Sequence, residues 1–105
     1  MSVVKSLRSA NVISYVSFIN NTPGSVSIYW HNFEGELVKY DDIKPGESYS
    51  AKTFTEHPWS AKDTATGYKV LTDNRYVFYP RPNPSVHERI SIERPPGKNL
   101  HYYLI

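Results

Sequence analysis

Residues 25–31, Ser-Val-Ser-Ile-Tyr-Trp-His, alternate without a fault. Val26, Ile28 and Trp30 fall on one side, and Ser25, Ser27, Tyr29 and His31 on the other. A repeat of two is the period of a pleated strand with one face toward a core. A helix would space its apolar residues three and four apart. Turn chemistry bounds the stretch on both sides. Asn20-Asn21-Thr22-Pro23-Gly24 precedes it, where proline presets φ and glycine accepts φ > 0. Asn32-Phe33-Glu34-Gly35 follows and returns the chain into Glu36–Tyr40, which makes a hairpin. Val26 and Ile28 are therefore expected in the core and Trp30 at its margin.

The same punctuation extends outward. Residues 12–19, VISYVSFI, read as a strand either buried on both faces or with a partly covered outer face, because Ile13, Tyr15 and Ile19 are apolar as well as Val12, Val16 and Phe18. Asp41-Asp42 and Lys44-Pro45-Gly46-Glu47 read as a longer connection before SYSAKTF, residues 48–54, resumes the alternation. Trp59–Asp63, Tyr68–Leu71 and Tyr76–Tyr79 are further short strands, and residues 86–93, VHERISIE, the last. Three prolines between Pro80 and Pro84 remove ladder donors, so that segment is expected outside any strand. The tail KNLHYYLI is ambiguous. Seven or so strands with turns every 8 to 12 residues predict an all-β fold, a seven-stranded antiparallel β-sandwich.

Composition agrees. Val, Ile and Thr total 22 and the aromatics 15, against 10 for Ala, Leu and Met. β-branched and aromatic side chains suit a half-buried pleated surface, whereas the latter three favour helices. The 105 residues make one domain, 1–105. A net charge of +2 without a basic stripe argues against nucleic acid. No apolar run of membrane-spanning or signal-peptide length occurs, so no membrane partner is expected. The absence of cysteine excludes a disulfide framework and a thiol nucleophile. It fits a reducing compartment, and a cytoplasmic or nuclear location is expected.

Catalytic chemistry is not legible. The four histidines, His31, His57, His87 and His101, show no paired ligand spacing, so no metal or other cofactor is expected. There is no G-x-S-x-G elbow and no phosphate loop. Asp41-Asp42 reads as a solvated turn in preference to a carboxylate pair. A different cluster carries more. W-x-N-F-x-G-E runs from Trp30 to Glu36, followed by Tyr40, Pro45-Gly46, and T-F-x-x-H-x-W from Thr53 to Trp59. Adjacent strands can bring Trp30, Tyr40, Thr53, His57 and Trp59 together as an aromatic slot with a hydroxyl and an imidazole at its base. The plainer reading keeps both tryptophans in the core and makes His57 a structural corner residue. Periodicity alone leaves both open.

At these residues the chain resembles the von Hippel–Lindau β-domain family. The likeness begins at L-R-S-A-N, 7–11, and continues through F-I-N-N, 18–21, W-H-N-F-E-G-E, 30–36, Tyr40, Pro45-Gly46 and T-F-T-E-H-P-W, 53–59. It covers about residues 7–96, leaving 97–105 as a tail. The resemblance implies a seven-stranded β-sandwich and a non-catalytic adaptor. In the family that adaptor captures a trans-4-hydroxyproline of a hypoxia-inducible transcription factor α subunit, in a peptide extended along a sheet edge. Carried over, Trp30, Tyr40 and Trp59 line the pocket. Thr53 stands where the family has a serine that meets the proline hydroxyl, and His57 is the second hydrogen-bonding partner. Asn11 holds the peptide backbone.

Departures fall on the rim. Lys52 and Phe54 replace a histidine and a tyrosine, and Glu56 and Pro58 a glycine and a leucine. No helical segment follows Pro96, so the family's elongin C contact is not expected of this chain, which is read as a monomer. The rival readings are a structural β-sandwich that docks a protein without reading hydroxyproline and, last, a small hydrolase or metal enzyme.

Overall fold

Alternation in the chain sets the inside and outside of the molecule. The computed structural model describes residues 3–96, and its first strand, β1 (Ile13–Asn20), buries every second residue, Ser14, Val16, Phe18 and Asn20. The residues between them are half-buried, as a strand with a partly covered outer face requires. β2 (Val26–His31) sends Val26 and Ile28 into the core, with Trp30 packed at its margin.

Five strands follow: β3 (Leu37–Ile43), β4 (Ser48–Phe54), β5 (Trp59–Asp63), β6 (Lys69–Thr72) and β7 (Asn83–Glu93). They hydrogen-bond in the order β3-β2-β5-β6-β7-β1-β4. The two ends of the sheet, β3 and β4, approach each other. Tyr40 of β3 and Tyr49 of β4 place their ring centroids 6.4 Å apart. The result is all-β and seven-stranded, as expected, in the form of a nearly closed sheet. Its ladders are antiparallel except β1 with β7, which is parallel. Phe18, Ile28, Ile43, Phe78, Ile90 and Ile92 fill the interior.

Three boundaries differ from the sequence reading, each for a physical reason. Asp41 and Asp42 lie within β3, not in a connection. β3 is an edge strand exposed up to Ile43, so its carboxylates reach water, and Asp42 accepts from Ser27 Oγ at 2.6 Å. Tyr76–Tyr79 is not a strand. It makes one two-way bridge in which Trp59 N and Phe78 N each donate to the other's carbonyl, at 2.9 and 2.8 Å. Pro84 stands inside β7. There the β1–β7 register slips from Ser14 opposite Asn83 to Val16 opposite Glu88. The intervening residues bulge off the ladder, so a missing N–H costs nothing. The ambiguous tail, 98–105, and with it His101, lies outside the described residues.

Buried polar groups fix the corners. Asn20 is fully buried. Its Nδ2 donates to the carbonyls of Gly24 and Ile43, both at 2.8 Å, and its Oδ1 accepts from Thr22 N and Oγ1. That one side chain ties the β1–β2 turn to the end of β3. At the other pole the N-terminal segment crosses the sheet ends. Ser6 N and Oγ donate to the His31 carbonyl, and Leu7 N donates to the Glu56 carbonyl.

Candidate functional site

Register brings the two tryptophans together. Trp30 of β2 is directly opposite Trp59 of β5, and residues so paired share a face of the sheet. Both therefore point inward where the sheet ends converge. Tyr40 leans over Trp59 from β3 at 5.1 Å between centroids. From the other edge β4 supplies Tyr49, Ala51 and Thr53, its inward-facing alternate residues. A cleft of about 450 Å³ remains between the edges, lined by these side chains together with Phe33, His57 and the rim residues Lys52 and Phe54.

The floor is polar at one point. Trp59 is 2% exposed, and its indole Nε1 donates to Thr53 Oγ1 at 3.0 Å. Thr53 is itself buried. With its oxygen accepting from the indole, its O–H is left to donate into the cleft. Thr53 reaches this position because β1 and β4 pair Ser14 with Thr53, which turns both side chains inward.

His57 sits at the corner between β4 and β5, held by a backbone bond from its N–H to the Phe54 carbonyl. Its ring lies against Trp30, Phe33 and Phe54, at 5.6, 5.6 and 5.1 Å between centroids. Ring Nε2 is 3.2 Å from the Leu7 carbonyl. A carbonyl only accepts, so Nε2 carries the proton. Burial pulls the His57 pKa below its usual value, with the Leu7 carbonyl opposing, and favours the neutral ring. Nδ1 is then an unprotonated acceptor. The cleft thus offers a hydroxyl donor and an imidazole acceptor beside an aromatic wall.

Five of the six residues singled out in the sequence, Trp30, Tyr40, Thr53, His57 and Trp59, line this one cleft. Asn11 does not. It is exposed in the segment before β1. The opposition of slot and core tryptophans dissolves, because Trp59 is a core residue whose buried ring is also the cleft floor. Phe33, Tyr49 and Phe54 were not singled out. Tyr49 was legible, since it shares the two-residue phase of Thr53. Phe33 lay inside the W-x-N-F motif, and Arg8 stacks over it at 4.4 Å. Phe54 lines the cleft from the out-of-phase end of β4, and periodicity could not place it. The remaining described histidines lie elsewhere: His31 bonds Ser60 Oγ at 2.8 Å, and His87 meets the Tyr15 ring.

Comparison with known proteins supplies the family. Residues 4–86 match the VHL beta domain, and the chain belongs to that family. Among curated proteins it is 32% identical to Protein Vhl of Drosophila melanogaster over 66 residues, 63% of this chain and 37% of that protein. The chain thus spans little more than a third of the length of that relative.

Proposed function

We propose that this VHL β domain, a protein-interaction module, uses the cleft to read a 4-hydroxyproline in an extended segment of a partner protein, without catalysis. The observation that carries the reading is the Trp59–Thr53–His57 arrangement. Trp59 N–H donates to Thr53, and Thr53 O–H donates to the ligand hydroxyl. That hydroxyl donates in turn to Nδ1 of His57, whose proton sits on Nε2 facing Leu7. Within this relay each donor meets one acceptor. The pyrrolidine carbons lie against Trp30, Tyr40 and Trp59. The terminal strand β4 has a neighbour on one side only, which suits addition of an extended peptide as a further strand.

An unmodified proline desolvates Thr53 and His57 and returns nothing. A buried polar group left without a partner costs about 1–3 kcal/mol. His57 is partly open to water, so its share is at the low end. The sum, about 2–4 kcal/mol, amounts to about thirtyfold to several hundredfold in affinity. The aromatic wall contacts carbons common to both ligands and sets affinity more than preference. The test is calorimetry with paired peptides differing only in the proline hydroxyl. Preference for the hydroxylated peptide, lost in Thr53→Val with His57→Phe, is the expected result. Equal affinity for both would leave a docking scaffold that does not read the modification.

The described elements are all strands, which supports a second proposal, that these 105 residues do not by themselves capture elongin C. Capture of elongin C by the chain at micromolar affinity would overturn it.

A further inference from the structure

Away from the cleft, the outward face of β5 and β6 holds a smaller pocket of about 160 Å³. Its wall includes Lys62 and Lys69, and among the described residues no carboxylate lines it. The two lysines are direct cross-strand partners, so their side chains leave the sheet on the same face. Like charges directly opposite one another destabilise an antiparallel pair. Among the described residues neither lysine has a carboxylate within ion-pair distance. Lys62 instead rests its ammonium 5.5 Å from the Tyr29 ring centroid. Ser60 and Tyr76 line the same space. His31, its ring bonded to Ser60, closes the floor. Burial, and then the charge of Lys62, hold its pKa below the usual value.

We infer that this pocket is an anion site that takes a phosphate group. Two uncompensated ammonium groups match the near-double charge of a phosphate monoester. The Tyr76 hydroxyl is a further donor on the lining, and Lys acts as a point-charge phosphate binder. The volume admits the phosphate with the first carbons of its carrier, which meet Leu37 and Val77 at the lip. Bound phosphate relieves the lysine–lysine repulsion, so binding stabilises the fold. The site shares no lining residue with the aromatic cleft, and its test is independent of hydroxyproline.

The experiment uses the full chain, titrated at constant ionic strength with inorganic phosphate, a phosphoserine peptide, its serine and aspartate counterparts, and chloride. Amide shifts in two-dimensional NMR and the melting temperature are read together. Phosphate is expected to move the amides of Ser60, Lys62, Lys69 and Tyr76 and to raise the melting temperature, with chloride and the serine peptide inert. Tighter binding of the phosphopeptide assigns the carrier to a partner protein. Equal binding of inorganic phosphate assigns it to a free phosphate, and either supports the site. Lys62→Gln with Lys69→Gln is expected to stay folded, to melt no lower than wild type and to lose binding by about tenfold or more. Lys44→Gln, on the β3–β4 turn, is expected to change nothing. An aspartate peptide bound as well as the phosphopeptide, no response at those amides, or an undiminished response in the double variant would overturn the inference.

Discussion

Thr53→Val removes one oxygen and keeps the shape of the side chain, which makes its consequence calculable. The indole N–H of Trp59 donates to that oxygen at 3.0 Å. Trp59 is 2% exposed and Thr53 is 3% exposed, so water does not reach the pair freely. In the variant the N–H is buried with no acceptor. An orphaned buried donor costs about 1–3 kcal/mol, and relief from burying the threonine hydroxyl offsets part of it. The net expectation is about 1–2 kcal/mol. For a domain of this size each kcal/mol moves the melting temperature by roughly 4–8 °C, so a fall of about 4–16 °C is expected. Thr53→Ser keeps the acceptor and loses one methyl, at about 0.8 kcal/mol, and should melt closer to wild type. Thermal melts by near-ultraviolet circular dichroism, which follows the tryptophan environment, measure both. Thr53→Val melting with the wild type, or Thr53→Ser melting no higher than Thr53→Val, would refute the claim that the indole depends on this hydroxyl. The stability loss also sets how the peptide comparison is run, since Thr53→Val must be assayed well below its own melting point.

Acid should destabilise the fold through His57 and His31. Both have folded pKa values depressed by burial, so the unfolded chain binds their protons more tightly. Their contribution is full above the unfolded value of about 6.5 and is lost as pH falls toward the folded values. Urea midpoints measured downward from pH 8 should show this, with a shallower fall in His57→Phe; an unchanged slope would contradict it. Gly35 and Gly46 have φ of +82° and +80°, so alanine at either should cost about 1–2 kcal/mol in backbone strain. A Cβ at Gly35 would also stand 2.6 Å from Val3 Cγ1 and 3.4 Å from the Val4 carbonyl oxygen, whereas one at Gly46 meets nothing within 4 Å; a valine side chain is stiff at χ1, so urea unfolding should show Gly35→Ala as the more costly of the two. Asn20→Ala strips partners from two carbonyls and from Thr22 and should cost about 2–4 kcal/mol. A loss below about 1 kcal/mol in denaturant unfolding would show that water replaces it.

Residues 25–31 and 48–54 were read from the sequence as strands because each shows one buried face, and strands β2 and β4 bear this out. Where that contrast fails, so does the reading. Edge strand β3 is exposed until its last residue, so Asp41 and Asp42 imitate a loop. The parallel β1–β7 ladder is a long-range pairing, and no local pattern encodes it. Pro84 is permitted in β7 only because the partner strand runs out of register there. That is a property of the pair and is invisible in either strand alone.

The cleft follows the same logic one level up. Aromatic residues at 30, 40 and 59 are visible in the chain, but their meeting depends on a sheet that bends until its ends face each other. Closure of those ends would pair β3 with β4 and bury their polar backbone. It would also fill the space where Tyr40, Tyr49 and Trp59 now pack edge to face. Bulky rings at those positions hold the ends apart. An unclosed seam leaves an edge for strand addition and a depth for a ring. The N-terminal crossing then acquires a role that its sequence does not announce. Leu7 donates its N–H to Glu56 and offers its carbonyl to His57, so the segment before β1 sets which imidazole nitrogen carries the proton. Deleting residues 1–9 should release that bond and leave the β1–β7 core pairing intact. The direct reading is the nitrogen-15 shift pattern of the His57 ring, expected to change from a single Nε2–H tautomer to a mixture. A ring that keeps the Nε2–H form after the deletion would show that Leu7 does not fix the acceptor.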